Sequence, residues 1–210
     1  MKLGEIKIQA LKLMFVNYND DISIEDIYAL STDQNYGSYL VNMTGSINRC
    51  FSSIEEKRVL PVKSYTLHYS DGEADNSFFR FNLNALIPDF FDIDRLIYQH
   101  EGIYCGDMDY QREADILVLK NLCAEGTYRL LYYPKIARID SLADNQMELD
   151  IPNGIAEQIP YFIKGDLYRD DEPNEASEAR NWFEAAMDAI ITGRTNRTGR
   201  VCTKYSLAEM

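Results

Sequence analysis

The chain has 210 residues, 46% of them hydrophobic and 12% aromatic, so it can bury the core of one large domain or two small ones. Its formal net charge is −13 and its pI is about 4.6. A surface this acidic repels phosphate, which disfavours a protein that wraps nucleic acid through a basic footprint. The four cysteines are widely spaced and form no CxxC pair, so they predict a reducing compartment rather than a disulfide scaffold.

The amino-terminal region predicts helices and no signal peptide. A first amphipathic helix is indicated by apolar residues at helical spacing, namely Leu3, Ile6, Ala10, Leu13 and Met14. A short helix is expected within Ile22–Leu30, with Ser23 as its N-cap and Asp26 completing an approximate capping box. No apolar run approaches the roughly 20 residues that a bilayer crossing requires.

The clearest helix is predicted from Tyr36 to Lys57. Its apolar stripe consists of Tyr36, Leu40, Met43, Ile47, Cys50, Phe51 and Ile54. Lys57 and Arg58 suit a helix carboxyl terminus, and Pro61 prevents the helix from continuing.

From Val62 to about Ile139 the hydrophobic period changes to two, which indicates β-strands. The predicted strands are Val62–Tyr69, Phe79–Leu83, Ile93–Tyr98, Ile103–Cys105, Asp115–Leu119 and Thr127–Tyr133. Turn-forming clusters separate them and leave no room for crossover helices. The sheet is therefore expected to be antiparallel and to form a small sandwich or barrel.

The last third of the chain is predicted to be helical again. An apolar stripe begins near Ile151 and contains Pro160, where a kink or a restart is expected. After the polar break at 170–173, a second helix is expected to begin at Pro173 or Asn174 and to stop at Gly193. Residues 193–210 read as a flexible tail with four basic residues and one acidic residue, which suggests that this tail docks on another protein.

These elements predict an α+β protein with a discontinuous helical part. Short helices depend on packing, so the amino- and carboxyl-terminal helices are expected to form one bundle. The expected division is a helical bundle of residues 1–61 and 150–192, an inserted antiparallel β-sandwich or barrel-like module at 62–149, and a basic tail at 193–210.

The residues that could carry catalysis or bind a metal form no recognised motif. His68 and His100 are the two histidines, and a nucleophile–base pair of Cys105 and His100 is less expected than a half-buried strand cysteine. The acidic groups are Asp92/Asp94, Asp107/Asp109 and Asp170-Asp171-Glu172, and none has the spacing of an EF-hand loop. No enzyme activity, metal or cofactor is therefore expected.

Two segments of the chain carry a family resemblance. The first is Ile151-Pro152-Asn153-Gly154-Ile155 through Pro160-Tyr161-Phe162-Ile163, followed by the acidic break and by Ala179-Arg180-Asn181-Trp182-Phe183-Glu184. The second is Leu40–Leu60, followed by Pro61 and the β-rich insert. Together they resemble the head-to-tail adaptor (connector) proteins of tailed bacteriophages.

The resemblance implies a structural protein of the virion neck, assembled in the host cytoplasm. Such adaptors form a homo-oligomeric ring, typically dodecameric, under the portal protein. The ring extends the DNA channel used in ejection and is a platform for the tail or the next neck ring. Double-stranded DNA would pass without sequence-specific binding. Portal docking would fall to the basic tail, through Arg194, Arg197, Arg200, Lys204 and Tyr205.

Two alternatives stay open. The chain could be another neck, tail-completion or terminator protein of a phage particle, or a bacterial assembly scaffold. It could also be a carboxylate-based hydrolase that uses Asp92/Asp94 or Asp107/Asp109.

Overall fold

The computed structural model describes residues 1–15, 22–75, 78–100, 103–120 and 127–198. The protein is a mixed α+β protein with two compact units. The helical unit comprises Met1–Val59 and the described residues from Arg138 onward, and the β unit comprises Leu60–Ala137. None of the helices in the described ranges combines the length and the apolar character needed to cross a membrane.

The helical unit contains helices from both ends of the chain. They are α1 (Leu3–Met14), a 3-10 turn (Ile24–Asp26), α2 (Ile27–Leu30), α3 (Gly37–Glu56), and, after the β unit, α5 (Asn153–Ala156), α6 (Ile159–Leu167) and α7 (Pro173–Thr198). The predicted capping box is confirmed, because Asp26 Oδ2 accepts hydrogen bonds from both the amide and the hydroxyl of Ser23 at 2.8 and 2.7 Å.

Helix α3 confirms the predicted stripe except for Tyr36, which is a half-buried N-cap before the first helical residue. Its buried residues include Leu40, Met43, Ile47, Cys50, Phe51 and Ile54. Beyond Lys57, Arg58 adopts a left-handed backbone conformation with φ of 54°. The Arg58 and Val59 amides donate to the carbonyls of Glu55 and Ile54 at 2.9 and 3.2 Å, which is the Schellman pattern. The chain therefore turns away three residues before Pro61.

Helix α6 lies at the centre of the helical unit, where it contacts α1, α3 and α7. The predicted restart at Pro160 is confirmed, since α5 ends at Ala156 and α6 begins at Ile159 with Pro160 in its first turn. Gly165 lets α7 approach closely, because a Cβ atom there would lie 3.0 Å from the Ala176 carbonyl oxygen. Substitution at this glycine would push the two helices apart.

Helix α7 begins at Pro173, as predicted, but it does not stop at Gly193. It continues to Thr198, so the prediction of a flexible tail from residue 193 is wrong for its first six residues. A glycine inside a helix costs only about 1 kcal/mol relative to alanine, so a single glycine does not end a helix that favourable neighbours extend.

Backbone hydrogen bonds attach the segment that follows the β unit to the helical unit. The amides of Leu3 and Gly4 donate to the carbonyls of Met147 and Asn145 at 2.9 and 2.8 Å, and Lys2 and Glu148 form a β-bridge. Residues 138–149, which the sequence assigned to the β-module, therefore pair with the amino terminus.

An aromatic cluster joins the end of α1 to α3 and to the end of α6. The rings of Phe15 and Tyr39 lie 5.4 Å apart, and both lie near Tyr168, whose hydroxyl donates to the Met14 carbonyl. Burial, followed by nearby acidic groups and Tyr39, raises the pKa of Tyr168 to about 12.

We expect the pKa of Tyr168 to make the folded state less stable above pH 10. The folded protein retains this proton until about pH 12, whereas the unfolded chain loses it near pH 10, so stability falls as pH rises through this window. Two pKa units correspond to about 2–3 kcal/mol. Urea unfolding at pH 9 and at pH 11.5 measures how much the free energy of unfolding falls between the two pH values. This fall should be smaller for Tyr168→Phe than for the unmodified chain. Tyr28→Phe changes an exposed position, so its free energy of unfolding should fall as much as that of the unmodified chain.

The β unit consists of two antiparallel four-stranded sheets. The strands are β1 (Lys63–Leu67), β2 (Glu73–Asp75), β3 (Phe78–Asn82), β4 (Phe90–His100), β5 (Ile103–Asp107), β6 (Gln111–Glu113), β7 (Ile116–Lys120) and β8 (Thr127–Pro134), with a short helix α4 (Leu83–Leu86) after β3. Their orders are β1-β8-β4-β5 and β2-β3-β7-β6, and every pairing is antiparallel, as predicted. The short strands β2 and β6 and helix α4 were not predicted.

The core of the β unit receives side chains from both sheets. One hydrophobic cluster includes Leu67, Phe79, Phe81, Phe90, Ile93, Leu96, Leu117, Leu119, Tyr128, Leu130 and Tyr132. In the described residues the sheets are not closed into a barrel.

Candidate functional site

The predicted docking residues lie at and beyond the end of α7. Arg194 and Arg197 lie within the helix, three residues apart. Arg200, Lys204 and Tyr205 lie outside the described residues. Portal docking by these five residues stays a prediction.

The first acidic pair, Asp92 and Asp94, lies on β4, and each carboxylate has a partner. Asp92 forms an ion pair with Arg112 of β6, and Asp94 accepts a hydrogen bond from the Tyr133 hydroxyl at 3.0 Å. These contacts link β4 to β6 and to β8, so both carboxylates have a structural role.

The other acidic groups are more dispersed. Asp107 ends β5, and Asp109 follows it in an exposed segment. Asp171 accepts a hydrogen bond from the Tyr39 hydroxyl at 2.8 Å, which raises the pKa of Tyr39, and Arg169 lies 3.9 Å from Asp170. Within the described part of the chain, no group of three His, Cys, Asp or Glu residues could hold a metal ion.

The remaining candidates for a nucleophile or a base are the cysteines and histidines. His100 ends β4 and Cys105 lies in β5, and their side chains lie outside the described part of the structure. Cys50 is buried in α3, and burial raises the pKa of its thiol well above the ordinary value, which opposes thiolate chemistry. The His68 amide donates a hydrogen bond to Asp71 Oδ2 at 2.9 Å, and this contact caps the 3-10 turn Tyr69–Asp71.

The outward face of α7 is the first candidate surface that the structure reveals. Ala176, Ala179, Phe183 and Met187 are buried against the unit. The opposite side presents Trp182, which is 61% exposed, beside Asn174, Ser177, Glu178, Asn181 and Ala185. We call these six residues the Trp182 face. An exposed tryptophan is a common anchor of protein interfaces.

A cavity of about 240 Å³ is the second candidate surface. It lies among α1, α2, α3 and the segment 141–145, and we call it the Lys7 cavity. Its rim carries three strongly exposed apolar residues, Tyr28, Val41 and Leu142, and Leu142 is 90% exposed. The other lining residues are Lys7, Ile27, Ser31, Leu40, Thr44, Ser141, Ala143 and Asn145.

Lys7 is only 7% exposed, although it carries a charged side chain. Among the described residues, its ammonium group donates a hydrogen bond to Asn145 Oδ1 at 2.9 Å. Burial lowers the pKa of Lys7 from its ordinary value. Lys7 is not one of the residues that the sequence marks as a candidate, although it falls at helical spacing between Leu3 and Ala10, on the predicted apolar stripe of α1.

No protein-family model matches this chain, and a search of curated proteins gave no significant match.

Proposed function

We propose that this protein is a structural component of a tailed-bacteriophage particle, and that it acts as a head-to-tail adaptor. In this proposal, copies of the chain form a ring that docks under the portal protein, extends the DNA channel and offers a platform for the tail. The sequence resemblance motivates the proposal, and the arrangement of the helical unit supports it.

The observation that carries the proposal is the contact of α6 with α1 and α3. The two segments that carry the resemblance fold as α3 and as α5–α7, and they pack together although the whole β unit separates them in sequence. We propose that these helices form a bundle with the β unit inserted as a two-sheet sandwich.

Surface properties of the helical unit also support an assembling protein. Tyr28, Val41, Leu142 and Trp182 are large apolar residues with high exposure. Such residues favour burial at contacts between proteins. The net charge of −13 suits a channel through which DNA slides, because like charges repel.

Ring formation on the portal tests the function. The portal to be tested would come from the same genome, where an adaptor gene is expected to lie shortly after the portal gene. We expect the protein alone to be a monomer or a weak oligomer by mass photometry, and to form a closed ring visible by electron microscopy when portal rings are added. An adaptor should bind portal when tail proteins are absent. Rings that form only on tail proteins would instead indicate a tail-completion or terminator protein, and no ring on either would contradict the proposal.

Neutralising the basic end of the chain should weaken binding to the portal. The altered residues would be Arg194, Arg197, Arg200 and Lys204, each changed to Gln. Four lost cations should reduce affinity by at least about tenfold at low salt and flatten its salt dependence. Biolayer interferometry against immobilised portal, over a range of NaCl concentrations, measures both.

The matched control changes four exposed cations elsewhere on the protein to Gln, namely Lys12, Lys120, Lys135 and Arg169. The two variants have equal net charge, so equal loss of affinity would contradict a role of the carboxyl-terminal residues. Truncation should begin at Gly199 rather than Gly193, because α7 continues to Thr198.

A further inference from the structure

The Lys7 cavity and the Trp182 face are complementary in charge and in apolar character. The cavity has a cation in its floor and an apolar rim. The Trp182 face has an exposed aromatic ring and a carboxylate, that of Glu178. Both surfaces belong to the helical unit, so each copy of the chain carries the two.

The described lining of the Lys7 cavity offers the lysine no counter-ion. Among the described residues that line it, none is Asp or Glu, although the chain contains 34 acidic residues. Asn145 Oδ1 accepts only one of the three hydrogen bonds that an ammonium group can donate. A buried cation without a counter-ion is unfavourable, so a carboxylate that enters the cavity gains an ion pair in a poorly solvated site.

The rim restricts what can bring that carboxylate. Tyr28, Val41 and Leu142 surround the opening with apolar surface that is exposed in the single chain. A partner that buries this surface must carry apolar side chains next to its anion. A free inorganic anion or a purely acidic peptide would leave the rim exposed.

The Trp182 face meets both requirements. Glu178 and Trp182 are four residues apart on α7, so they lie on one side of the helix, one turn from each other. Glu178 forms no ion pair within the described residues, in contrast to Glu175, which pairs with Lys164 at 2.7 Å. The opposite side of α7 is already buried, which leaves the Trp182 face available.

We propose that the Lys7 cavity of one copy receives the Trp182 face of a second copy, with Glu178 as the counter-ion of Lys7. The two surfaces differ, so the contact is heterologous, and its repetition closes a ring when the rotation permits. This inference rests on the proposed ring and names its subunit contact.

Photo-cross-linking of the full-length protein, in the portal-bound assembly and at high concentration alone, tests the contact. Leu142 would be replaced by p-benzoylphenylalanine, and isotope-labelled chains would be mixed with unlabelled chains before irradiation. We expect cross-links between two chains, from position 142 to residues 174–185. Cross-links confined to one chain, or cross-links to another region of a second chain, would overturn the proposal.

A double-mutant cycle tests the ion pair. Lys7→Met and Glu178→Gln should each weaken self-association by at least about tenfold, and the double variant should be no weaker than either. Lys12→Met and Glu157→Gln are exposed controls on α1 and beside α5, and they should have no effect. Independent, additive losses at Lys7 and Glu178 would overturn the proposal. If Lys7→Met folds poorly, the Glu178→Gln variant and the cross-linking still test the contact, because Glu178 is exposed and its replacement should not disturb folding.

The two proposals fail in distinguishable ways. A ring on the portal with cross-links elsewhere would reject the Lys7–Glu178 contact and leave the adaptor function standing. Cross-links between position 142 and α7 in an oligomer that does not bind portal would support the contact and reject the adaptor function. The absence of any oligomer, with or without portal, would reject both.

Discussion

Replacing Arg138 with Met should lower the free energy of unfolding by about 2–3 kcal/mol, because it removes charge-assisted hydrogen bonds from the buried carboxylate of Glu55. Glu55 of α3 has a side chain that is 4% exposed. Its two carboxylate oxygens accept hydrogen bonds from the Arg138 guanidinium at 3.1 and 2.5 Å. Urea denaturation followed by circular dichroism measures the loss.

The double variant Glu55→Leu with Arg138→Met separates a lost ion pair from lost packing. It removes both charges, so most of the stability should return. A double variant as unstable as Arg138→Met alone would show that the guanidinium acts through other contacts, such as its hydrogen bond to the Ser52 hydroxyl at 3.1 Å. The comparison matters for the architecture because Arg138 begins the segment that returns the chain to the helical unit.

Truncating Phe183 to Ala should cost about 3–5 kcal/mol, the range for a fully buried aromatic residue. Phe183 has no exposed surface, and its ring packs edge-on against Phe162 of α6 at a centroid distance of 5.1 Å. The Arg180 guanidinium lies 4.7 Å from the centre of the Phe162 ring. Loss of Phe183 would therefore loosen α7 from α6, and thermal unfolding would report it.

The adjacent residue offers the control. Trp182→Ala removes a larger ring, yet the side chain is mostly exposed and its nearest described aromatic neighbour, Tyr161, lies 6.4 Å away between ring centres. We expect a loss of about 1 kcal/mol or less, as for surface positions. If Trp182→Ala were as destabilising as Phe183→Ala, the Trp182 face would be part of the folded core and would not be available to a partner.

The contrast between these neighbours also links stability to the proposed assembly. Phe183→Ala should weaken ring formation indirectly, by releasing the helix that carries Glu178. Trp182→Ala should leave the monomer folded and still weaken self-association, because its ring would cover the apolar rim around Lys7. Sedimentation velocity on both variants, compared with their melting curves, distinguishes the two effects.

Periodicity alone was sufficient for most secondary structure. Helix α3, the six longer strands and the restart at Pro160 were predicted because each has a repeated apolar spacing or a residue with a strong backbone preference. The strands β2 and β6 have three residues each, too few for a period to show, and helix α4 has four. Gly193 misled the prediction of the end of α7, since a lone glycine is a weak stop signal.

Local pattern and composition were enough to predict the α+β class, the order of the longer helices and strands, the antiparallel pairing and the acidic character of the surface. Three further features depend on how the chain folds back on itself: Lys7 is buried at helical spacing from Leu3, Glu55 pairs with Arg138, and residues 138–149 belong with the amino terminus. Each of these is set by which distant segment covers a given residue. That information is absent from any local window of sequence, and here it identifies the charged cavity on which the proposed subunit contact depends.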